Sequence, residues 1–116
     1  MSDGRKPDVD PQTFFDLDLR VGRVVEVAAL AGARKPAYRV AVDFGPDVGV
    51  LSTSAQITNY SPHELVGRLV VGALNLGTKR IAGFTSEFLV LGAMQPDGSV
   101  LLLSPDGDPQ PGTPIG

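Results

Sequence analysis

Alternation of apolar and polar side chains along the sequence predicts a protein made mainly of β-strands. The clearest alternating run covers residues 38–44 and places four apolar side chains on one face: Tyr38, Val40, Val42 and Phe44. Further strands are expected at residues 19–27, 48–54, 68–74 and 79–91, with a short one at 100–103. In the first of these, strict alternation would place Val21, Val25 and Val27 on one face.

One short helix is expected between the third and fourth strands. Ser61 and Glu64 have the spacing of a capping box, in which each side chain bonds a backbone N–H of the other residue. Pro62 suits the first helical position, and Gly67 suits the end of the helix. These signals predict a helix from Pro62 to about Val66.

Together these elements predict an all-β fold. It is a five-stranded Greek-key barrel of the OB type, with a short helix before the fourth strand and a C-terminal extension. The polar, aperiodic residues 1–13 are expected to form a flexible N-terminal lead-in. Residues 14–116 then form a single domain.

Two of the predicted strands, residues 69–74 and 88–91, are apolar on both faces. A strand in a small barrel buries only its inward face, so the outward face of these two needs another cover. A homodimer is one solution, since twofold dimers are the commonest soluble oligomers, and its interface would be built on Leu69, Val71, Phe88 and Val90. A C-terminal extension lying over the strands and an apolar ligand are the alternatives.

Residues 79–91 combine a basic pair, a glycine-centred bend and an apolar run. This order favours a binding site at the mouth of a buried strand. A hairpin whose charged end is simply solvated is the alternative. Gly83 lies at the bend and is expected to have a positive φ.

The side chains needed for catalysis are scarce in this sequence. Cysteine is absent, which excludes disulfides, thiolate nucleophiles and cysteine-ligated metals. His63 is the single histidine and falls in the first turn of the predicted helix, where side chains normally face solvent. No nucleophile elbow, phosphate-binding loop or dinucleotide fingerprint occurs. We therefore expect a binding protein rather than an enzyme, with no cofactor and no metal.

No apolar segment of the sequence suggests a membrane or a secreted protein. The N-terminus lacks an apolar signal core, and no apolar run approaches the roughly 20 residues of a membrane helix. A cytoplasmic protein without membrane insertion is therefore expected.

Charge is distributed unevenly along the chain. The net charge of −3 arises from acidic ends, whereas residues 17–93 carry eight basic and six acidic side chains. This mild excess excludes a tight, nonspecific nucleic-acid binder but permits a local basic patch. Two basic pairs, Arg34 with Lys35 and Lys79 with Arg80, lie in separate regions that would flank the ligand face of an OB barrel. Other side chains in these regions suit hydrogen bonding or stacking: Ser52, Ser54, Gln56, Asn59, Tyr60 and Phe84.

Several segments carry a resemblance to a known family. Three of them resemble the tRNA-binding domain family, which includes domains appended to some methionyl-tRNA synthetases: Asp-Leu-Arg-Val-Gly at 18–22, Val-Asp-Phe-Gly at 42–45, and Arg-Ile-Ala-Gly at 80–83 with Ser86. Within that family, the CsaA-type export-related chaperones are resembled most specifically, through residues 33–37, 54–58, 80–92 and 112–116. The resemblance covers roughly residues 12–116.

The resemblance implies an OB fold with a helical insertion, a homodimer, and a groove that accepts apolar segments of unfolded proteins or preproteins. It also implies tRNA binding as an alternative function. We expect RNA contacts from Arg34, Lys35, Lys79, Arg80 and Ser86. We expect peptide contacts from Ser54, Gln56, Tyr60, Phe84 and Glu87.

The leading hypothesis is a non-enzymatic, chaperone-like binding protein that acts in protein export. The alternative hypothesis is a structure-specific tRNA-binding module. The salt dependence of binding distinguishes the two hypotheses. Phosphate contacts weaken steeply as the salt concentration rises, whereas apolar peptide contacts do not.

Overall fold

Residues 3–116 are the part of the chain that the computed structural model describes, and they form a main sheet, two small hairpins and two short helices. The elements in chain order are α1 (Pro11–Phe15), β1 (Leu19–Ala29), β2 (Tyr38–Asp43), β3 (Val50–Ala55), α2 (Pro62–Leu65), β4 (Leu69–Ala73), β5 (Lys79–Ile81), β6 (Phe84–Ser86), β7 (Leu89–Val90), β8 (Gly92–Met94) and β9 (Val100–Leu102). The predicted helix is present as α2, with both hydrogen bonds of its capping box.

The main sheet closes into a barrel. Its five antiparallel strands have the order β3-β2-β1-β4-β7, so β1 pairs with β2 on one side and with β4 on the other. The segment before β7 joins the two edges, since Glu87 N donates to Ser52 O at 2.8 Å and Thr53 Oγ1 donates to Phe88 O at 2.6 Å. This arrangement confirms the predicted fold class, a five-stranded OB barrel with a short helix before the fourth strand.

Apolar side chains from the inner face of the sheet form the barrel core. The alternation predicted for β2 is confirmed, since Val42 and Phe44 are each only 1% exposed. Phe44 meets Phe88 edge to face, with the ring centroids 5.0 Å apart. Gly22 and Gly72 leave room for this packing, because a Cβ at either position would lie within 2.8 Å of the Phe44 ring. One aromatic ring therefore dictates glycine on two neighbouring strands.

One prediction of side-chain direction in β1 is wrong. A β-bulge between Val24 and Glu26 shifts the register of β1 against β2. Val24 is buried in the core, whereas Val25 is 44% exposed. Because a bulge adds one residue to the strand, the alternation of faces changes at that point. Val21, Val25 and Val27 therefore do not share a face as expected.

Residues 79–91 do not form one continuous strand. β5 and β6 form a separate hairpin, and only β7 joins the main sheet, where it pairs with β4. The cause is a tight turn at Ala82 and Gly83, which reverses the chain after three residues of β5. Residues 79–86 thus form a hairpin whose basic residues, Lys79 and Arg80, are exposed.

The C-terminal segment extends the sheet beside the first half of β1. Val21 N donates to Thr113 O at 2.9 Å, and Ile115 N donates to Leu19 O at 2.8 Å. β2 pairs with β1 only from Arg23 onward, so this edge of β1 is otherwise open. The expected C-terminal extension thus completes the backbone hydrogen bonding of the first strand.

Most of the two segments that are apolar on both faces is covered within one chain, although Leu89 on β7 stays 52% exposed. All five residues of β4 are buried, and Phe88 lies in the barrel core. Leu69, Val71 and Phe88 therefore offer little surface to a second subunit, and Val90 is half-buried. The premise for a dimer interface at these four residues is not met, because the cover that they need comes from their own chain.

The predicted N-terminal lead-in ends in a helix. Residues 1 and 2 of the lead-in lie outside the described residues, and α1 begins directly after Asp10, whose carboxylate caps its first turn. Asn75 holds the other end of α1 against the barrel: Nδ2 donates to Asp16 O at 2.7 Å, and Oδ1 accepts from Asp18 N at 2.8 Å. The residues that directly follow α1 are therefore tied to the loop after β4.

Candidate functional site

A groove opens between the β1–β2 loop, the end of β3 and the β5–β6 hairpin. It has a volume of about 1070 Å³ and is lined by Gly32, Ala33, Arg34, Lys35, Ala37, Ser54, Ala55, Gln56, Lys79, Ile81 and Ala82. We call it the basic groove. Small-molecule clefts typically measure about 300–1,000 Å³, so this groove has room for a segment of a polymer.

The hairpin that forms one wall of the groove has a two-residue turn. Ile81 pairs with Phe84, which leaves Ala82 and Gly83 as the loop, with φ values of 51° and 77°. Two successive positive φ values characterise a type I′ turn, whose twist matches that of antiparallel strands. The positive φ expected at Gly83 is confirmed. The turn holds Ala82 at the wall of the groove.

Three cations line the basic groove, and no carboxylate does. Arg34 and Lys35 come from the β1–β2 loop and Lys79 from β5, and all three are exposed. The ion pairs found among residues 3–116 involve other cations, namely Arg5, Arg20 and Arg23. The groove is therefore a basic site on a chain whose net charge is −3.

Strand geometry separates the second basic pair. Lys79 and Ile81 line the groove, whereas Arg80 between them does not. Successive side chains of a strand point to opposite faces, so Arg80 lies on the other face of β5, where it is exposed. Of the four predicted basic contacts, the groove contains Arg34, Lys35 and Lys79.

Small apolar side chains form most of the remaining wall: Ala33, Ala37, Ala55, Ile81 and Ala82. Ser54 and Gln56, at the end of β3, are the two predicted peptide contacts that the groove contains. No aromatic side chain is among the lining residues. The groove thus offers apolar surface and hydrogen-bonding groups, but no ring on which a base could stack.

Ser86 supports the groove from behind. It is 7% exposed, and its Oγ lies 3.0 Å from both the backbone N and the Oγ of Ser54. These contacts join β6 to β3 and so fix the angle between the hairpin and the barrel. The predicted RNA contact through Ser86 does not fit this burial, and its role here is structural.

Phe84 lies in a separate, smaller cavity. This cavity has a volume of about 160 Å³ and is lined by Glu26, Arg39, Ala41, Ser52 and Phe84. The Arg39 guanidinium carbon is 5.9 Å from the centroid of the Phe84 ring, within the range of a cation–π contact. Phe84 therefore packs against Arg39 and does not enter the basic groove.

The other two predicted peptide contacts also lie outside the groove. The Tyr60 hydroxyl accepts a hydrogen bond from Leu102 N at 3.1 Å, and the Arg68 guanidinium lies 5.0 Å from the ring centroid of Tyr60. Glu87 Oε1 accepts a bond from Ser52 N at 3.1 Å. Tyr60 thus fastens β9 to the barrel, and Glu87 fastens the segment before β7 to β3.

Titratable groups outside the groove have structural partners or face solvent. Hydrogen bonds from the backbone N–H and the hydroxyl of Ser61 lower the pKa of Glu64, and His63 is exposed on α2.

Within residues 3–116, no three His, Asp or Glu side chains are grouped as a metal site would require. None of the helices in this described part is long and apolar enough to cross a membrane.

Comparison with known proteins identifies the family. Residues 19–114 match the family described as "Putative tRNA binding domain", and this stretch includes every residue of the basic groove. The chain belongs to the putative tRNA binding domain family.

Two solved CsaA structures are similar to this protein over nearly the whole chain. The CsaA chaperone protein from Picrophilus torridus is 43% identical, with a TM-score of 0.89, and the match covers 94% of this chain and 100% of that one. The chaperone CsaA from Bacillus anthracis str. Ames is 41% identical, with a TM-score of 0.90, and the match covers 95% and 100%. The resemblance to CsaA-type proteins of the tRNA-binding domain family is thereby confirmed.

The chain is also similar to one part of a much longer enzyme. The methionine–tRNA ligase of Acidithiobacillus ferrooxidans is 38% identical over 107 residues, which is 91% of this chain. The chain spans only 15% of the length of that ligase. The similarity therefore concerns a small region of the ligase.

The basic residues of the groove can be recognised in the sequence, whereas most residues of its wall cannot. Ala55, Ile81 and Ala82 are small or ordinary apolar residues, whose type carries no sign of a binding role. The one available signal was position, because Gly32 and Ala33 directly precede the basic pair of the first loop. Which small residues face a groove is decided by how the hairpin folds back on β3.

Proposed function

We propose that this protein is a non-enzymatic, chaperone-like binding protein of the CsaA type. In this proposal it works in the cytoplasm in protein export, and it holds apolar segments of unfolded proteins or preproteins in the basic groove. The observation that carries the proposal is the groove itself, about 1070 Å³ in volume with a wall of small apolar residues. Small wall residues leave space for client side chains of different sizes.

Similarity to CsaA supports this choice over an enzymatic one. The match extends over 100% of both CsaA chains but over only 15% of the methionine–tRNA ligase. The lining of the groove also includes neither a histidine nor a carboxylate, which are the commonest general acids and bases.

Filling the groove tests the proposal. Ala33→Trp places a large ring in the groove and should raise the concentration needed to suppress aggregation of a chemically unfolded client by about tenfold, or about 1.4 kcal/mol. Ala31→Trp is the matched control, because Ala31 is an exposed alanine of the same loop that does not line the groove. Light scattering of the aggregating client measures the effect. Equal suppression by both variants and the wild type would remove the groove from the mechanism.

Binding of tRNA is the second candidate function, and the charge of the groove favours it. Arg34, Lys35 and Lys79 face one space with no carboxylate among its lining residues, an arrangement that attracts a phosphate backbone. The family name points in the same direction. Salt distinguishes this candidate from the first, because a complex that rests on phosphate contacts weakens steeply as salt rises.

A homodimer remains part of the proposal, but at a different surface from the one expected. Leu101 and Leu103 flank the buried Leu102 and are both about half exposed. Leu89 on β7 is 52% exposed. We propose that these exposed leucines, on β7 and in the β8–β9 hairpin near the C-terminus, belong to the interface, where a twofold partner would present the same surface.

A further inference from the structure

We propose that the basic groove selects client segments that carry carboxylates beside apolar side chains, and that it rejects segments rich in lysine or arginine. This inference rests on the proposed function and specifies the chemistry of its ligand. The ligand class is an extended acidic and apolar peptide segment of an unfolded protein.

The charges of the groove favour a ligand that carries carboxylates. Arg34, Lys35 and Lys79 are exposed on two different elements and face the same space. The carboxylates that form ion pairs within residues 3–116 belong to Asp3, Asp18 and Asp108, none of which lines the groove. A carboxylate of a bound segment therefore meets three cations that no ion pair within this part of the chain satisfies. A lysine of a bound segment is repelled by the same three cations.

The apolar wall of the groove indicates that its anionic ligand is a peptide. Ala37, Ala55 and Ile81 offer apolar contact, which is useful to the side chains of an unfolded segment but not to phosphate or ribose. Single-stranded nucleic acids are usually held by bases that stack on aromatic side chains. The two aromatic residues nearest in sequence to the groove are engaged elsewhere: the Tyr38 hydroxyl donates to Tyr60 O at 2.8 Å, and Phe84 packs in the neighbouring cavity against Arg39. A peptide with mixed acidic and apolar character therefore matches the groove better than RNA does.

Ser54 and Gln56 complete the match. Both lie at the end of β3 on the groove wall and supply neutral hydrogen-bonding groups. Neutral groups suit the backbone of any extended segment and do not favour one charge over the other. Discrimination between client segments is thus left to the three cations.

The test uses three fluorescein-labelled nonapeptides that share one framework of alanine and valine. Each carries three substitutions at alternate positions, which are glutamate in the first, glutamine in the second and lysine in the third. Fluorescence anisotropy with the full chain at low salt should give affinities in the order glutamate, glutamine, lysine. With three exposed charge contacts, the affinity for the glutamate peptide should exceed that for the lysine peptide by at least about tenfold. Raising salt to 0.5 M should bring the three affinities closer together, since the Debye length is then about 4 Å.

Charge-reversal variants give the test its controls. The double variant Arg34→Glu with Lys35→Glu should reverse the order of affinities, and Arg34→Gln with Lys35→Gln should flatten it. Arg80→Glu is the matched control: this exposed arginine neighbours Lys79 on the same strand but does not line the groove, and its variant should keep the wild-type order. Thermal melting followed by circular dichroism checks that each variant is folded.

Two outcomes overturn the proposal, and they differ in what they leave standing. Equal affinity for the three peptides would overturn charge selection while the chaperone function stands. Absence of peptide binding, together with binding of a labelled tRNA that the double charge reversal abolishes, would overturn both and assign the groove to RNA.

Discussion

At the scale of single residues, backbone conformation decides the shape of the groove. Ala82 and Gly83 both have positive φ, and together they turn the hairpin that forms one wall. Gly83 has open space around it, since a Cβ placed there would meet no atom within 4 Å. The requirement for glycine at this position is therefore conformational rather than steric.

We expect Gly83→Val to destabilise the protein by about 1–3 kcal/mol, the usual cost of forcing a residue into a strained backbone region. Gly83→Asn is the matched control and should cost clearly less, because asparagine tolerates the left-handed region. Urea unfolding followed by circular dichroism measures both. Equal midpoints for the wild type and the valine variant would show that the turn does not need this conformation.

At the scale of elements, the alternation of strand side chains determines which charges reach the ligand. Arg34 and Lys35 lie in a loop and both line the groove, whereas β5 presents Lys79 to the groove and Arg80 to its other face. Two basic pairs that look alike in the sequence thus contribute unequally. A loop can direct consecutive residues to one side, and a strand cannot.

This difference predicts how single variants affect tRNA binding. Lys79→Ala should lower the affinity and reduce the slope of its salt dependence by about one unit, as expected for one lost phosphate contact. Arg80→Ala should leave both the affinity and the slope close to those of the wild type. Filter binding over a salt series measures both quantities. A larger effect from Arg80→Ala than from Lys79→Ala would place the RNA on the other face of the hairpin.

The sequence predicts those elements whose pattern is local, and it fails where a single residue changes the register. The alternation in β2 and the capping box of α2 are short-range patterns, and both are present in the structure. The bulge between Val24 and Glu26 lies in the ordinary strand sequence Val-Val-Glu, which has no local signature of a bulge. The turn at Ala82 is hidden for a related reason, since alanine seldom adopts a positive φ. The groove could therefore be predicted from its charges, but its wall could not.

At the scale of the whole molecule, the chain itself covers residues that were expected to lie at a subunit interface. The C-terminal segment pairs with β1, and β4 is fully buried without a second chain. A dimer is therefore not needed to bury Leu69 or Val71. Its proposed interface instead lies at the exposed leucines near the C-terminal hairpin.

We expect multi-angle light scattering at micromolar concentration to give about twice the chain mass of 12.1 kDa. Leu101→Glu should convert the protein to a monomer, because it places a charge in the proposed apolar interface. Val50→Glu is the control, since Val50 is an apolar residue of β3 outside that surface and is 56% exposed, against 48% for Leu101. A wild-type mass near 12.1 kDa would rule out the dimer.

The most direct test of the basic groove as the ligand site is a map of the amides that a client perturbs. Uniformly ¹⁵N-labelled protein would be titrated with an acidic, apolar nonapeptide, and amide chemical shifts would be followed by NMR. We predict that the largest changes occur at the amides of the residues that line the groove: Gly32, Ala33, Arg34, Lys35, Ala37, Ser54, Ala55, Gln56, Lys79, Ile81 and Ala82. Changes confined to the amides of Asp43, Gly45, Gly49 and Gln110, which line a different cavity of about 430 Å³, would contradict the assignment of the ligand site to the groove.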